Sequence, residues 1–136
     1  MASYMWTEVV DLHSHSTNSD GQHSVEQVAM MMSQSNVRFW SLTDHDTISG
    51  WESAYLAAKM ENIAFIPGVE ITCAPGLQAD PKVMQSRQRD RASDSWHLLA
   101  YFPEIELSSP SHAAFKSWLA PLGDGRIPRM KAMVES

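Results

Sequence analysis

The stretch TEVVDLHSHSTNSDG, residues 7–21, changes from apolar to polar about halfway along its length. It begins as a β-branched apolar run, which is typical of a buried strand, and continues as a polar segment that carries His13, His15 and Asp20. Side chains at positions i and i+2 of an extended segment point to the same side, so His13 and His15 can present two imidazoles to one cation. The turn rich in Ser and Asn then brings Asp20 within reach.

A helix is predicted directly after this stretch. Ser24 and Gln27 form a capping-box pattern, so we expect the helix to start at Ser24. The apolar residues behind them recur with helical spacing. Asn36 follows the periodic segment, where a residue that tolerates the left-handed conformation commonly closes a helix.

Strand and helix patterns continue to alternate down to Cys73. Residues 37–46, VRFWSLTDHD, predict a second strand, and residues 63–72, IAFIPGVEIT, predict a third. A second helix is predicted between them, with Asp46 or Thr47 as its N-cap. Its expected apolar face consists of Ile48, Trp51, Tyr55 and Ala58. Strand, helix, strand, helix and strand in this order predict an α/β fold with a parallel sheet.

Side chains that bind metals stand at the end of every predicted strand. His13 and His15 end the first strand, His45 ends the second, and Glu70 lies near the end of the third. Functional residues of parallel sheets gather at the carboxyl ends of the strands, so we expect these four side chains to converge. Burying several imidazoles and carboxylates together is costly unless a cation compensates them, which favours a metal site.

Three neighbouring carboxylates stay outside this ligand set. Asp11, Asp44 and Asp46 can act as caps, or they can orient the imidazoles that bind metal. The sequence leaves both roles open for each of them.

Residues 74–95 interrupt the alternation of strand and helix. The segment is polar, contains two prolines and lacks apolar periodicity, which predicts a loop. Its basic residues fit either a solvated loop or a lid that meets an anionic substrate. These residues are Lys82, Arg87, Arg89 and Arg91.

His97 leads the apolar run WHLLAYF, whereas the earlier candidate ligands follow theirs. This reversal has a geometric explanation if residues 70–73 and 94–97 form the two arms of a hairpin. His97 would then return level with Glu70 and face the same site.

The composition limits the class of protein. The chain of 136 residues is 43% hydrophobic, which is enough for the core of one domain, and its formal net charge is −6. That charge argues against a broad basic face for nucleic acid, although it allows a local nucleotide site. The single cysteine, the absence of a signal-peptide pattern and the absence of a long apolar run predict a cytoplasmic protein without membrane association.

Four motifs carry a family resemblance. In this order and spacing, they closely resemble the motifs of the polymerase and histidinol phosphatase (PHP) family of metal-dependent phosphoesterases, and most closely the branch of ribonuclease AM and nucleoside 3′,5′-bisphosphate phosphatases. The motifs are DLHSHSTNSDG, LTDHDTISGWESA, IPGVEIT and HLLAYF. The resemblance spans roughly residues 8–102 and implies a distorted seven-stranded β/α barrel, of which this chain would form the N-terminal half.

The resemblance also implies a site with three metal ions, which would be manganese, iron or zinc. Glu70 would bridge the first ion to the second. The other implied ligands are His13 and His15 for the first ion, His97 for the second, and Asp20 with His45 for the third.

The chain departs from the family pattern in several places. Val25 stands where proline is common, Asn36 stands where glycine is common, and the segment 74–95 is longer than the usual turn. The family continues for about as many residues again and contributes further histidine and aspartate ligands, for which this chain has no match. We therefore expect a partial PHP domain over residues 1–136, an N-terminal fragment whose residues 111–136 form the truncated helical start of a cap region.

The predicted activity follows from the ligands and the resemblance together. First-row divalent ions lower the pKa of bound water, so a metal-bound hydroxide would hydrolyse phosphate esters of nucleotides or short oligonucleotides. No G-x-S-x-G elbow or phosphate-binding P-loop supports another chemistry.

Two alternatives to this activity stay open. One is a histidinol-phosphate-type phosphomonoesterase, and the other is a truncated fragment that binds metal without turnover. The expected partner is a phosphorylated small molecule or a short nucleic acid, and the oligomeric state is not indicated.

Overall fold

The computed structural model describes residues 9–73 and 96–124. The predicted loop at residues 74–95 and the predicted cap residues 125–136 lie outside this range. The described elements are β1 (Val9–Ser14), α1 (Val25–Gln34), β2 (Val37–Leu42), α2 (Trp51–Met60), β3 (Ala64–Phe65), β4 (Gly68–Cys73), β5 (Trp96–Tyr101) and α3 (Pro110–Asp124). Within these residues no helix has the length and apolar character needed to span a bilayer.

Three parallel strands form a sheet in the order β1, β2, β3. Ser14 pairs with Leu42 at the carboxyl end of β1, and Phe39 pairs with Ala64 where β3 joins β2. The connections through α1 and α2 produce this parallel order, which confirms the predicted α/β class. The carboxyl ends of the strands therefore lie at one edge of the sheet.

The predicted third strand is divided into two. Pro67 lies between β3 and β4, and a proline has no N–H to offer to the hydrogen-bond ladder. Beyond it, β4 pairs with β5 in an antiparallel hairpin, while a bridge between His45 and Glu70 still joins β4 to the segment after β2. The hairpin is therefore joined to the parallel sheet just beyond the carboxyl end of β2.

Helix α1 has the predicted start and end. Ser24 is the N-cap, its Oγ accepts from the backbone N–H of Gln27, and the Gln27 side chain accepts from the backbone N–H of Ser24. Asn36 follows the helix in the left-handed conformation, with φ at 59°. The buried face consists of Val25, Val28 and Ala29. Local capping chemistry therefore fixes both ends of α1.

The prediction that Asp46 or Thr47 caps α2 is wrong. The helix begins at Trp51, and Gly50 is its N-cap without a hydrogen bond from a side chain. Asp46 is unavailable because its carboxylate is bound by Thr72, and its backbone is left-handed, with φ at 54°. Long-range bonds to Asp46 thus override the local cap pattern.

The predicted apolar face of α2 is also only partly correct. Ile48 is buried but precedes the helix, and Tyr55 is exposed. The buried face of the helix consists of Trp51, Ala54, Ala57 and Ala58. The three alanines pack with Trp40 of β2, and their small size lets the helix lie close to the parallel sheet.

Two apolar clusters hold the strands in place. Trp40 at the centre of β2 is fully buried between α1, α2 and the sheet. The second cluster joins Trp51 of α2, Val69 of β4 and Leu119 of α3. Phe65 packs against both clusters, so the parallel sheet and the hairpin share a continuous hydrophobic core.

We expect Ser24→Ala to lower the free energy of unfolding by about 1 kcal/mol, because the N–H of Gln27 loses its acceptor at the start of α1. Ser53→Ala, at an exposed position inside α2, is the matched control and should change that free energy by less than about 0.5 kcal/mol. Urea unfolding followed by circular dichroism measures both. Equal losses for the two variants would contradict the capping role.

Candidate metal centre

All six ligands predicted from the sequence lie together at the carboxyl edge of the sheet. They form three groups, and within each group the possible ligand atoms lie within 4.8 Å of one another. The groups are His13, His15 and Glu70; His15, Asp20 and His45; and His45, Glu70 and His97. His15, His45 and Glu70 each belong to two groups, so neighbouring groups share ligands.

Glu70 occupies the middle of the cluster. Its side chain is only 7% exposed, and its carboxylate lies 2.8 Å from His13 Nε2 and 2.8 Å from His97 Nδ1. Nε2 of His15 lies at 3.2 Å and Nε2 of His45 at 3.7 Å from the same carboxylate. One buried carboxylate therefore contacts imidazoles from four different positions in the chain.

Asp20 completes the outer side of the cluster. Its two carboxylate oxygens lie 3.5 Å from His15 Nδ1 and 3.4 Å from His45 Nε2. Gly21 closes the loop behind it, because its N–H donates to the carbonyl of Ser16 at 2.9 Å and a Cβ at this position would meet the His15 carbonyl. The tight loop thus returns Asp20 to the ligands on β1.

The protonation of Glu70 depends on its surroundings. Burial raises its pKa, but the hydrogen bond from His13 and the charges of His45, His13 and His15 outweigh burial and bring the pKa below its ordinary value. The carboxylate is therefore ionised at neutral pH, which is the form that binds a cation.

The alternation of side chains at the end of β1 places His13, and His15 directly after the strand, on the side of the metal centre. Their ring centroids are 5.1 Å apart. Ser14, between them, points toward β2, where its Oγ accepts from the indole N–H of Trp40 at 2.8 Å and donates to the carbonyl of Ser41 at 3.0 Å. The i and i+2 pattern read from the sequence is the pattern observed.

Asp44 anchors the loop that carries Asp20. It is 2% exposed, and its carboxylate accepts from the N–H and the Oγ of Ser16 and from the Oγ of Ser19, each at 2.7 Å. The segment after β2 is thereby tied to the loop after β1.

Asp46 anchors the same segment to β4. Its carboxylate accepts from the N–H of Thr72 at 2.7 Å and from the Thr72 Oγ1 at 2.6 Å, and its own N–H donates to the Glu70 carbonyl at 2.9 Å. Asp44 and Asp46 flank His45, so two buried carboxylates hold this ligand between β1 and β4. Asp11 has a smaller local role, because it accepts from the N–H of His13 at 3.2 Å.

The predicted hairpin and the shared face of His97 and Glu70 are confirmed, but His97 is not level with Glu70, and residues 94–95 of the predicted arm lie outside the described residues. Thr72 pairs with His97 and Glu70 pairs with Leu99, so His97 is displaced from Glu70 by two positions and stays on the same face. A shift of an even number of residues preserves the face of a strand.

Tyr101 is a contributor that the sequence did not reveal. Its hydroxyl donates to the carbonyl of Leu12 at 2.8 Å, which connects β5 to β1. Burial and the negative charges of Asp11 and Glu70 raise its pKa, so the phenol keeps the proton that it donates. The sequence patterns also did not reveal Ser16 and Thr72, which donate to Asp44 and Asp46. Thr72 could have been found, because it lies two residues after Glu70 and so shares its side of the strand.

The donor set fits first-row divalent ions. Four imidazoles and two carboxylates are the nitrogen and oxygen ligands that such ions accept. Nδ1 of His15 lies 3.5 Å from Asp20 but makes no hydrogen bond, although a buried polar atom usually makes one. A metal ion would satisfy this nitrogen.

The chain is similar to several bacterial proteins over about half its length. It is 44% identical over 66 residues to a 5′-3′ exoribonuclease of Haemophilus influenzae, an alignment that covers 48% of this chain and 24% of that protein. It is 36% identical over 67 residues to a 3′,5′-nucleoside bisphosphate phosphatase of Chromobacterium violaceum, with 49% and 24% covered. The matched part of the chain thus spans about a quarter of the length of these curated relatives.

The fold and the sequence both match a known family. A protein of Bifidobacterium adolescentis, assigned to the metal-dependent phosphoesterases, superimposes with a TM-score of 0.65 at 25% identity, covering 95% of this chain and 38% of that protein. The PHP domain model matches residues 11–124, which include all six clustered side chains. The chain therefore belongs to the PHP domain family.

Proposed function

We propose that this chain carries the metal-binding residues of a phosphoesterase that hydrolyses phosphate esters of nucleotides or short oligonucleotides. One observation carries the proposal: Glu70 is buried at the junction of ligand groups that share side chains, so adjacent cations can be held a few ångströms apart. Sites of this kind clamp phosphate esters in hydrolytic enzymes.

The similar proteins support the substrate class. One relative is an exoribonuclease and the other a nucleoside bisphosphate phosphatase, and the names of both describe cleavage of phosphate esters of nucleotides. Because the alignments cover 24% of each relative, the substrate of the complete site is part of the proposal.

The ligands divide among up to three ions, for which manganese, iron and zinc are the candidates. Glu70 would bridge the first two ions. The remaining ligands are His13 and His15 for the first ion, His97 for the second, and Asp20 with His45 for the third. When bound, such ions supply Lewis acidity toward phosphate oxygens and lower the pKa of coordinated water to provide hydroxide.

Asp44 and Asp46 are positioning residues in this proposal. Each places its full carboxylate in hydrogen bonds with a neighbouring segment, so the His45 backbone is held from both sides. Geometry held by buried hydrogen bonds does not have to be organised again when a cation or a phosphate ester binds.

We expect Glu70→Gln to weaken Mn²⁺ binding by about 100-fold or more, because the bridging negative charge is removed while the side-chain volume is kept. Glu52→Gln, which removes an exposed carboxylate from α2, should bind Mn²⁺ like the wild type. Isothermal titration calorimetry measures both affinities. Wild-type affinity in Glu70→Gln would overturn the metal centre.

Turnover is the second part of the same proposal. Mn²⁺-dependent release of phosphate from a nucleoside 3′,5′-bisphosphate, faster than from histidinol phosphate, is expected for the wild-type chain and lost in Glu70→Gln. Mn²⁺ binding without turnover would contradict catalysis by this chain and support a metal-binding module. Faster hydrolysis of histidinol phosphate would contradict the nucleotide substrate.

We expect Asp46→Gly to weaken Mn²⁺ binding by about 10- to 100-fold, because Thr72 and the His45 segment lose their shared anchor. Glycine accepts the left-handed backbone at this position, so the variant removes the carboxylate without adding backbone strain. Asp46→Asn keeps an acceptor oxygen and should recover most of the affinity. Equal affinities in the wild type and Asp46→Gly would contradict the positioning role.

A further inference from the structure

A pocket that contains none of the clustered histidines lies at the start of β2. It has a volume of about 500 Å³ and is lined by residues from the start of β2, the end of α2 and β3. The pair Phe39–Ala64 at this pocket precedes the bridged pair His45–Glu70 by six residues in each segment of the chain. At about 3.3 Å per extended residue, six residues separate the two places by at most about 20 Å along the chain.

Two cationic residues line this pocket. Arg38 and Lys59 both line it, and Lys116 is the one other lysine or arginine within residues 9–73 and 96–124. Neither Arg38 nor Lys59 forms an ion pair with a carboxylate in that part of the chain. Two unpaired positive charges at one pocket of a chain with net charge −6 create a local field that attracts an anion.

Exposed aromatic rings line the same pocket. Tyr55 is 51% exposed and Phe39 is 37% exposed, and both contribute to its wall. Ile63 and Phe65 add apolar surface, and Asn62 adds an amide that can donate and accept hydrogen bonds. The volume lies in the range of small-molecule sites, and aromatic faces beside cations are the usual surface for a nucleobase with its phosphate.

We propose that this pocket binds a nucleoside phosphate, with the phosphate at Arg38 and Lys59 and the base against Tyr55 or Phe39. The site is separate from the metal centre and holds no group that would perform hydrolysis. It gives the chain a second point of attachment for a nucleotide, independent of the proposed phosphoesterase activity.

Isothermal titration of the 136-residue chain with adenosine 5′-monophosphate in EDTA tests the proposal, because the chelator keeps ions out of the metal centre. We expect saturable binding that the double variant R38Q/K59Q weakens at least about 10-fold, since charge-assisted contacts are lost. K116Q is the matched control and should bind like the wild type. Circular dichroism verifies that each chain is folded under these conditions.

Several results would overturn the second site. These are absence of binding by the folded wild type, an equal loss in K116Q, or full affinity in R38Q/K59Q. Inorganic phosphate should bind at least about 10-fold more weakly than the nucleotide, and Y55L/F39L should reduce that difference. Equal binding of both ligands would overturn the role of the base.

The outcome is distinguishable from failure of the proposed hydrolysis. R38Q/K59Q should retain the Mn²⁺ affinity of the wild type, because neither residue belongs to the metal centre. A coincident loss of Mn²⁺ binding in this variant would contradict two separate sites.

Discussion

The buried carboxylate of Glu70 determines how the ligand-bearing segments can be arranged. A carboxylate with 7% exposure is costly to leave uncompensated, and the nearest polar groups are four imidazoles. Those rings also crowd one another, because His15 and His45 stack at 4.7 Å and His45 meets His97 at 4.8 Å. Protonating all four would place like charges side by side, whereas cations shared between neutral rings and carboxylates satisfy the same atoms. The metal interpretation therefore follows from the electrostatics of the cluster as well as from the ligand types.

Residues outside the ligand set hold the ligand side chains in place. Trp40 and Trp51 pack the helices against the strands. Asp44 and Asp46 bind the segment between β2 and α2 to the loop after β1 and to β4. Each of these carboxylates accepts from a backbone N–H and from a side-chain hydroxyl, which sets both the position and the direction of the chain. Tyr101 adds a bond from the hairpin to β1. Three ligands thus stand on strands, and buried hydrogen bonds hold the loop segments that carry the other three, as a preorganised site requires.

Sequence reasoning succeeded where the determining interactions are local or periodic. The capping box at Ser24, the left-handed Asn36 and the alternation at His13 and His15 each depend on neighbours a few residues away. The return of His97 to Glu70 was accessible because strand pairing follows simple register rules.

The features that were missed depend on contacts between distant parts of the chain. Asp46 reads locally as a helix cap, but its partner Thr72 is 26 positions away. Tyr101 and Leu12 are 89 positions apart, and nothing in the alternation of apolar residues points to their hydrogen bond. Pro67 could be seen in the sequence as a residue that interrupts a strand. That β3 and β4 then pair with different strands depends on which strands lie beside them.

A crystal structure of the chain grown with Mn²⁺ tests the central claim most directly. The account predicts anomalous scattering peaks within about 2.5 Å of the imidazole nitrogens of His13 and His15 and of the Glu70 carboxylate, with a neighbouring peak at His97. Ordered histidines around an undisturbed Glu70, with no anomalous peak among them, would contradict it.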